Sequence, residues 1–182
     1  MSDSFHVEGA EIAFRSRVFN VEKRTIRHGD DRFVRDIAVH PGAIAVLVIN
    51  ERGEIGFIRQ YRSTFDQELL EIPAGTRDVA GEDPLDTAKR ELLEEMGLEA
   101  SEWTFIGRFM NSPGWSTQVM WVYEARALTK REREPAGPEE RSATIHWYSP
   151  EELRPLLRNA YAIDSTTAIA LHRLIGNFLD EL

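Results

Sequence analysis

The spacing of apolar residues changes several times along the chain, and each change predicts an element. From Val18 to Val39 short β-prone runs are broken by "HGDD" around Gly29, a turn signal that predicts a hairpin. Gly42–Asn50, "GAIAVLVIN", is continuous and rich in β-branched residues, the pattern of a strand buried on both faces. "ERGE" then turns the chain into a second strand over Ile55–Arg62, and "ELLEIPAG" predicts a third that ends at Pro73 and Gly75. Beyond it the period lengthens. Leu85, Ala88, Leu92 and Met96 recur at helical spacing, so "DPLDTAKRELLEEMG" predicts a helix with one apolar stripe facing a sheet. Asp83 suits its N-cap, Pro84 its first turn and Gly97 its left-handed stop. Strands follow at Trp103–Phe109, Gln118–Ala125 and Thr144–Tyr148, with the charged stretch "TKREREPAGPEERS" as a solvated loop. "SPEELRPLLRN" and "DSTTAIALHRLIGNFLDEL" predict closing helices. The fold class is therefore α+β: a mixed sheet with a helix inserted after its first strands and further helices at the end.

Composition narrows the chemistry. The 182 residues fit one domain with room for a sizeable core. The net charge of −9 leaves no broad basic face for nucleic acid, and an anionic substrate would need local cations, either arginines or metal ions. There is no cysteine, which removes disulfides and thiol nucleophiles and fits a reducing compartment, the cytoplasm. No run of 18 apolar residues suggests a membrane span, and the N-terminal residues lack a secretory-signal pattern. The five histidines (His6, His28, His40, His146 and His172) are scattered without zinc-ligand spacing. Neither a G-x-S-x-G elbow nor a G-x-x-x-x-G-K-[ST] phosphate loop is present.

The helix poses a problem of its own. Glu91 lies three and four residues before Glu94 and Glu95, and like charges at those spacings repel by a few tenths of a kcal/mol, about 0.2–0.5. Arg90 is four residues from both Asp86 and Glu94 and can pair with them, which leaves Glu91 and Glu95 one turn apart without a partner. Two such carboxylates either form a solvated face or hold a hard cation of the magnesium type. The Gly-rich loop "EIPAGTRDVAGE" before the helix offers backbone carbonyls as further oxygen ligands.

"GTRDVAGEDPLDTAKRELLEEMGL" resembles the box of the Nudix hydrolases, G-x5-E-x7-R-E-U-x-E-E-x-G-U with U aliphatic. Gly75, Glu82, Arg90, Glu91, Leu92, Glu94, Glu95, Gly97 and Leu98 fill its specified positions. One residue is extra: six, not five, separate Gly75 from Glu82, and the insertion falls in the loop before the helix. The resemblance implies a Nudix fold, mixed β-sheets between helices, over residues 41–182. It implies magnesium, with manganese as a substitute, held chiefly by Glu91 and Glu95 with support from Glu94 and the carbonyl of Ala74. Arg90 would orient the glutamates.

Outside the box the chain is similar to the ADP-ribose pyrophosphatase branch. "RQYR" and "ELLEIPAG" match its strand and loop before the box, "NSPGWS" places Pro113 where the branch carries a proline marker, and "EERSATIHWYSPEEL" and "AIDSTTAIAL" match its late loop and last helix. The branch implies substrate contacts from Arg59, Arg62 and Glu71. Two arginines at i and i+3 on a strand point to opposite faces, so one of them is expected to meet the diphosphate. The branch also implies a catalytic base on the late loop, Glu139 or Glu140, with Glu140 the better match by its distance from "HWY" and Glu94 the next candidate. Trp115 either stacks on a base or is simply exposed. Gln118 stands where relatives often carry glutamate. Residues 1–40 are expected to form an N-terminal β extension that makes a homodimer. The expected reaction is hydrolysis of ADP-ribose to AMP and ribose 5-phosphate. The alternatives are another nucleoside diphosphate sugar, such as GDP-mannose, and a Nudix-fold sensor that binds a nucleotide without turnover. An intact set of box glutamates speaks against the sensor.

Overall fold

The uninterrupted apolar run near the start becomes strand β4 (Ala43–Ile49), and every one of its residues is buried. The computed structural model describes residues 4–158 and 162–175. Because side chains alternate along a strand, β4 feeds two separate cores. Ala43, Ala45, Leu47 and Ile49 pack with Leu153, Ala170 and Leu171, while Ile44, Val46 and Val48 pack with Ala88, Leu92 and Met96. Continuous apolar sequence is what a strand covered on both faces requires. The helices that cover it are α1 (Pro84–Met96) on one face, and α3 (Pro150–Arg158) with α4 (Ser165–Ile175) on the other.

The sheet around β4 is mixed and seven-stranded, ordered β10-β5-β4-β9-β8, with β6 on β5 and β7 on β4. Its other strands are β5 (Ile55–Arg62), β6 (Gln67–Glu71), β7 (Ala74–Thr76), β8 (Leu98–Met110), β9 (Val119–Lys130) and β10 (Thr144–Tyr148). β4 runs antiparallel to β5 and β7 and parallel to β9, where Ala43 pairs with Met120. Trp103, Trp121 and Trp147 are half-buried against the core on the α1 side.

The chain divides into two compact units. The sheet just described belongs to the unit formed by Ala43–Phe109 and the residues from Met120 onward. The other unit takes the residues up to Gly42 together with Met110–Val119. It contains a three-stranded antiparallel sheet of β1 (His6–Arg15), β2 (Asn20–His28) and β3 (Asp31–Val39). The turn after Met110 is attached to it: Ala38 N–H donates to Trp115 O at 2.8 Å, and Thr117 N–H donates to Ala38 O at 2.9 Å. The β2–β3 hairpin turns at Gly29, whose φ of 56° is left-handed, as the "HGDD" signal predicts.

Several elements differ from expectation. β1 was not foreseen, and "ELLEIPAG" is two strands, because Ile72 and Pro73 pass between β6 and β7. β8 begins at Leu98, directly after the helix stop, and β9 runs on to Lys130. The charged loop contains a short helix, α2 (Pro138–Ser142). The final helix is described to Ile175, and the rest of the stretch predicted for it lies outside the described residues.

Candidate active site

The site is built where β7 meets α1. Asp83 caps the helix through a hydrogen bond from Leu85 N–H at 2.8 Å, Pro84 takes the first position, and Gly97 closes the helix at φ 64°. With its apolar stripe packed on the sheet, the helix turns Glu91 and Glu95 inward as well, to 7% and 4% exposure. Glu95 accepts a hydrogen bond from Ala74 N–H at 2.9 Å. Gly75 lies directly against the Glu91 carboxyl, so that a Cβ there would overlap it. The glycine is needed for close approach, and its flanking strand is held by Val46 N–H donating to Pro73 O at 2.8 Å.

The electrostatics follow from burial. Desolvation pushes the Glu91 carboxyl up to about 7, aided by Glu94 and Glu140 and opposed by Arg90. Burial, and after it the charge of Glu91, raises Glu95 well above the usual carboxylate range, against the Ala74 hydrogen bond and the charge of Arg62. Paired carboxylates this far perturbed are a frequent mark of a functional site.

Arg90 is shared differently from the sequence expectation. Asp86 pairs with Lys89 at 2.9 Å, one turn away on the exposed side, and not with Arg90. Arg90 instead donates to Glu91 at 2.8 Å and reaches Glu94 at 3.3 Å, Glu82 at 3.4 Å and Asp78 at 3.4 Å. Glu91 therefore has a partner. The buried Thr87 hydroxyl donates to Glu82 at 2.8 Å, so the loop with the extra residue is fastened to the helix at Glu82. Arg77 adds a second fastening: its Nη2 donates to Glu82 O at 2.9 Å and its guanidinium lies 4.6 Å over the Trp121 ring. Neither Thr87 nor Arg77 is a specified box position, and neither lies on the apolar stripe, so the sequence carries no signal for them.

At the end of β5, Arg62 grips Glu71 through Nε at 3.0 Å and through Nη2. The Glu71 bond raises the Arg62 pKa, and the charges of Glu95 and Asp164 add to it. Asp164 caps α4 by accepting from Thr166 and Thr167 N–H at 3.0 Å, and Thr167 Oγ1 accepts from Ile72 N–H at 3.1 Å. Asp164 was legible only as a helix start. Half-buried Arg59 has no hydrogen-bond or ion-pair partner among the described residues. Glu140, on α2, is close enough for its charge to raise both Glu91 and Glu95. Glu139 is exposed, and Glu140 rather than Glu139 is among the largest influences on the pair. Pro113, Trp115 and Gln118 belong to the other unit. There Trp115 is 59% exposed and Gln118 accepts from Asn111 at 3.4 Å.

A divalent cation fits the chemistry of these donors. Among the described residues no three Asp, Glu or His side chains already form a cage. Magnesium, however, keeps much of its water and is commonly held by one or two carboxylates. Two buried carboxylates that resist ionisation, with a side-chain-free position against one of them, offer such an ion a site whose charge it would relieve.

A family profile described as the NUDIX domain matches residues 39–168. The chain is 36% identical over 171 residues to an ADP-ribose pyrophosphatase of Mycobacterium tuberculosis (strain ATCC 25618 / H37Rv), covering 91% of this chain and 83% of that one. Two Bacillus proteins, the methanol dehydrogenase activator of Bacillus methanolicus and an ADP-ribose pyrophosphatase of Bacillus subtilis (strain 168), are each 34% identical over 140 residues, 77% of this chain and 75% of theirs. Among solved structures, one described as the crystal structure of ADP compounds hydrolase superposes with a TM-score of 0.77 over 95% of both chains at 23% identity, a likeness of fold.

Proposed function

Because the chain belongs to the NUDIX family and is a pyrophosphatase of the nucleoside diphosphate-cleaving kind, we propose that it hydrolyses ADP-ribose to AMP and ribose 5-phosphate with magnesium. The observation that supports this most is the buried Glu91–Glu95 pair against Ala74 and Gly75. Glu91 and Glu95 would hold the ion, with Glu94 and the Ala74 carbonyl assisting and manganese as a substitute. When bound, magnesium offsets diphosphate charge and makes a water more acidic. Arg90 keeps Glu91 and Glu94 aligned through its ion pairs. Arg59, with no partner among the described residues, is available to meet a phosphate, whereas Arg62 is committed to Glu71 and fixes that carboxylate. Glu140 takes the proton from the attacking water as the new P–O bond forms and the bridging P–O bond breaks.

The decisive experiment measures AMP and ribose 5-phosphate released from ADP-ribose with and without magnesium. Magnesium-dependent release of both is expected. Faster turnover of another nucleoside diphosphate sugar, such as GDP-mannose, would reassign the substrate, and binding without turnover would point to a sensor.

Gly75→Ala tests the site from the other side. A methyl group would displace the Glu91 carboxyl, and a misplacement of about 1 Å costs ~10²-fold in rate. Turnover at saturating magnesium should fall by that order, with the melting temperature little changed. Unchanged turnover would mean that Glu91 is not in the metal site.

The N-terminal unit supports assembly. β1 is exposed along its whole length and carries exposed Val7, Ile12 and Phe14, with Val34 exposed on β3. An uncovered outer strand bearing apolar side chains is a liability unless something pairs with it. A two-fold homodimer through residues 1–40 is the expected state at micromolar concentration, and sedimentation as a monomer would exclude it. The absence of cysteine is consistent with cytoplasmic residence, and no helix among the described residues is long and apolar enough to cross a membrane.

A further inference from the structure

Among the cations in and beside the segment that follows β9, one differs from the rest. Lys130, Arg131 and Arg141 are exposed, while Arg133 is half-buried and its Nε is buried without a partner among the described residues. Its two terminal nitrogens each donate to a backbone carbonyl: Nη2 to Glu140 O at 2.7 Å and Nη1 to Ala143 O at 3.0 Å. Glu140 O already accepts from Ala143 N–H at 3.1 Å, and both carbonyls lie toward the C-terminal end of α2, where a cation is favoured. α2 has five residues, too few to hold together alone. Its other end is closed by the Glu140 side chain, which accepts from Ala136 N–H at 2.6 Å and Gly137 N–H at 3.4 Å.

The same segment is anchored to the glutamate-bearing helix. Arg131 N–H donates to Gly97 O at 2.8 Å, and a Cβ at Gly97 would come within 3.0 Å of Arg131 O and 3.2 Å of Arg133 N. Residues 131–133 thus touch the C-terminus of α1 on one side and that of α2 on the other. α2 also packs on β5, the strand that carries Arg59 and Arg62. Glu140 carries the same charge as Glu91 and Glu95 and lies close enough to raise both, so repulsion alone would drive α2 outward. We propose that Arg133 is a positioning residue that braces α2 against the C-terminus of α1 and so holds Glu140 over the Glu91–Glu95 pair. This rests on the assignment of Glu140 as the general base. The fork geometry matters, since a lysine could reach one carbonyl but not grip two with fixed orientation.

A double-mutant cycle tests it, with Arg133→Ala, Glu140→Gln and the double variant, assayed on ADP-ribose at saturating magnesium. Arg133→Ala should lower kcat by at least ~10-fold with KM little changed, since misplacing a catalytic group costs up to about 10²-fold. In the Glu140→Gln background the same substitution should cost nothing further, because the group it positions is already lost. Arg133→Lys should lose less than Arg133→Ala, and it carries the cycle if Arg133→Ala fails to fold. Amide exchange should quicken at Arg141 and Ala143, whose N–H groups bond within α2, and not along α1. Losses that multiply, an unchanged kcat in Arg133→Ala, or a change in KM alone would each overturn the brace. If Glu140→Gln alone leaves kcat intact, the base assignment has failed, and the brace falls with it. If only Arg133→Ala is silent, the brace fails and the base assignment stands.

Discussion

Glu95→Gln should abolish most turnover and, in metal-free protein, raise the melting temperature. The two effects come from one cause. Burial and the neighbouring Glu91 disfavour the charge at Glu95, and under the proposed function a bound magnesium ion would make that charge useful. The sign with pH follows from linkage. A carboxyl whose folded-state pKa is raised carries no penalty below its unfolded value of 4.5, where both states are protonated. Above that value the folded protein retains a proton that the unfolded chain releases, so metal-free stability falls as pH rises. Glu91 behaves likewise up to about 7. Glutamine is neutral at every pH and can still accept from Ala74 N–H, so the variant's advantage in melting temperature should be absent near pH 4 and evident at pH 7. Differential scanning calorimetry in chelator, paired with turnover in magnesium, checks both halves. Intact turnover would reduce the α1 face to a buried acidic patch with no part in catalysis.

Glu140→Gln should lower kcat by ~10²–10⁴, the usual cost of losing a general base, with KM and magnesium dependence little changed. Glutamine at the third position of a helix can still reach back to the N-terminal N–H groups, so the substitution removes basicity and spares α2. Glu139→Gln is the control. The charge removed is identical, but Glu139 is exposed and its carbonyl only accepts from Ser142 at 2.9 Å. Equal and small losses in the two variants would move the base elsewhere, to Glu94 first.

What the sequence revealed follows physical regularity. β4 was legible because seven consecutive apolar residues have no stable fate except burial on both faces, and α1 because its stripe, cap and stop agree. The carboxylate pair was legible through spacing, though the Arg90–Glu91 contact was not, because helical spacing favours partners at i+4 and the structure pairs immediate neighbours. β1 was hidden for a different reason. Its register shifts between Val7 and Gly9 and again between Ile12 and Phe14, which destroys the two-residue alternation that announces a strand. α2 was hidden because "PEERS" has no apolar stripe, and part of what holds it, the Arg133 guanidinium on the Glu140 and Ala143 carbonyls, lies outside its own sequence.

The parallel pairing of β4 with β9 bears on how the chain acquires its site. Ala43 must find Met120 across β5, β6, β7, the whole of α1 and β8, and closing so long a loop is entropically costly and slow. β9 supplies Met120 and Val122 to one core, and Tyr123 and Ala125 to the other, so neither face of β4 is complete before it arrives. On the ribosome, a chain that has emerged only as far as Met110 contains every glutamate of the α1 cluster but not the strand that completes the core beneath that helix. Formation of the carboxylate pair is therefore tied to a long-range step of folding, and a protein that stalls before it carries the motif without the site.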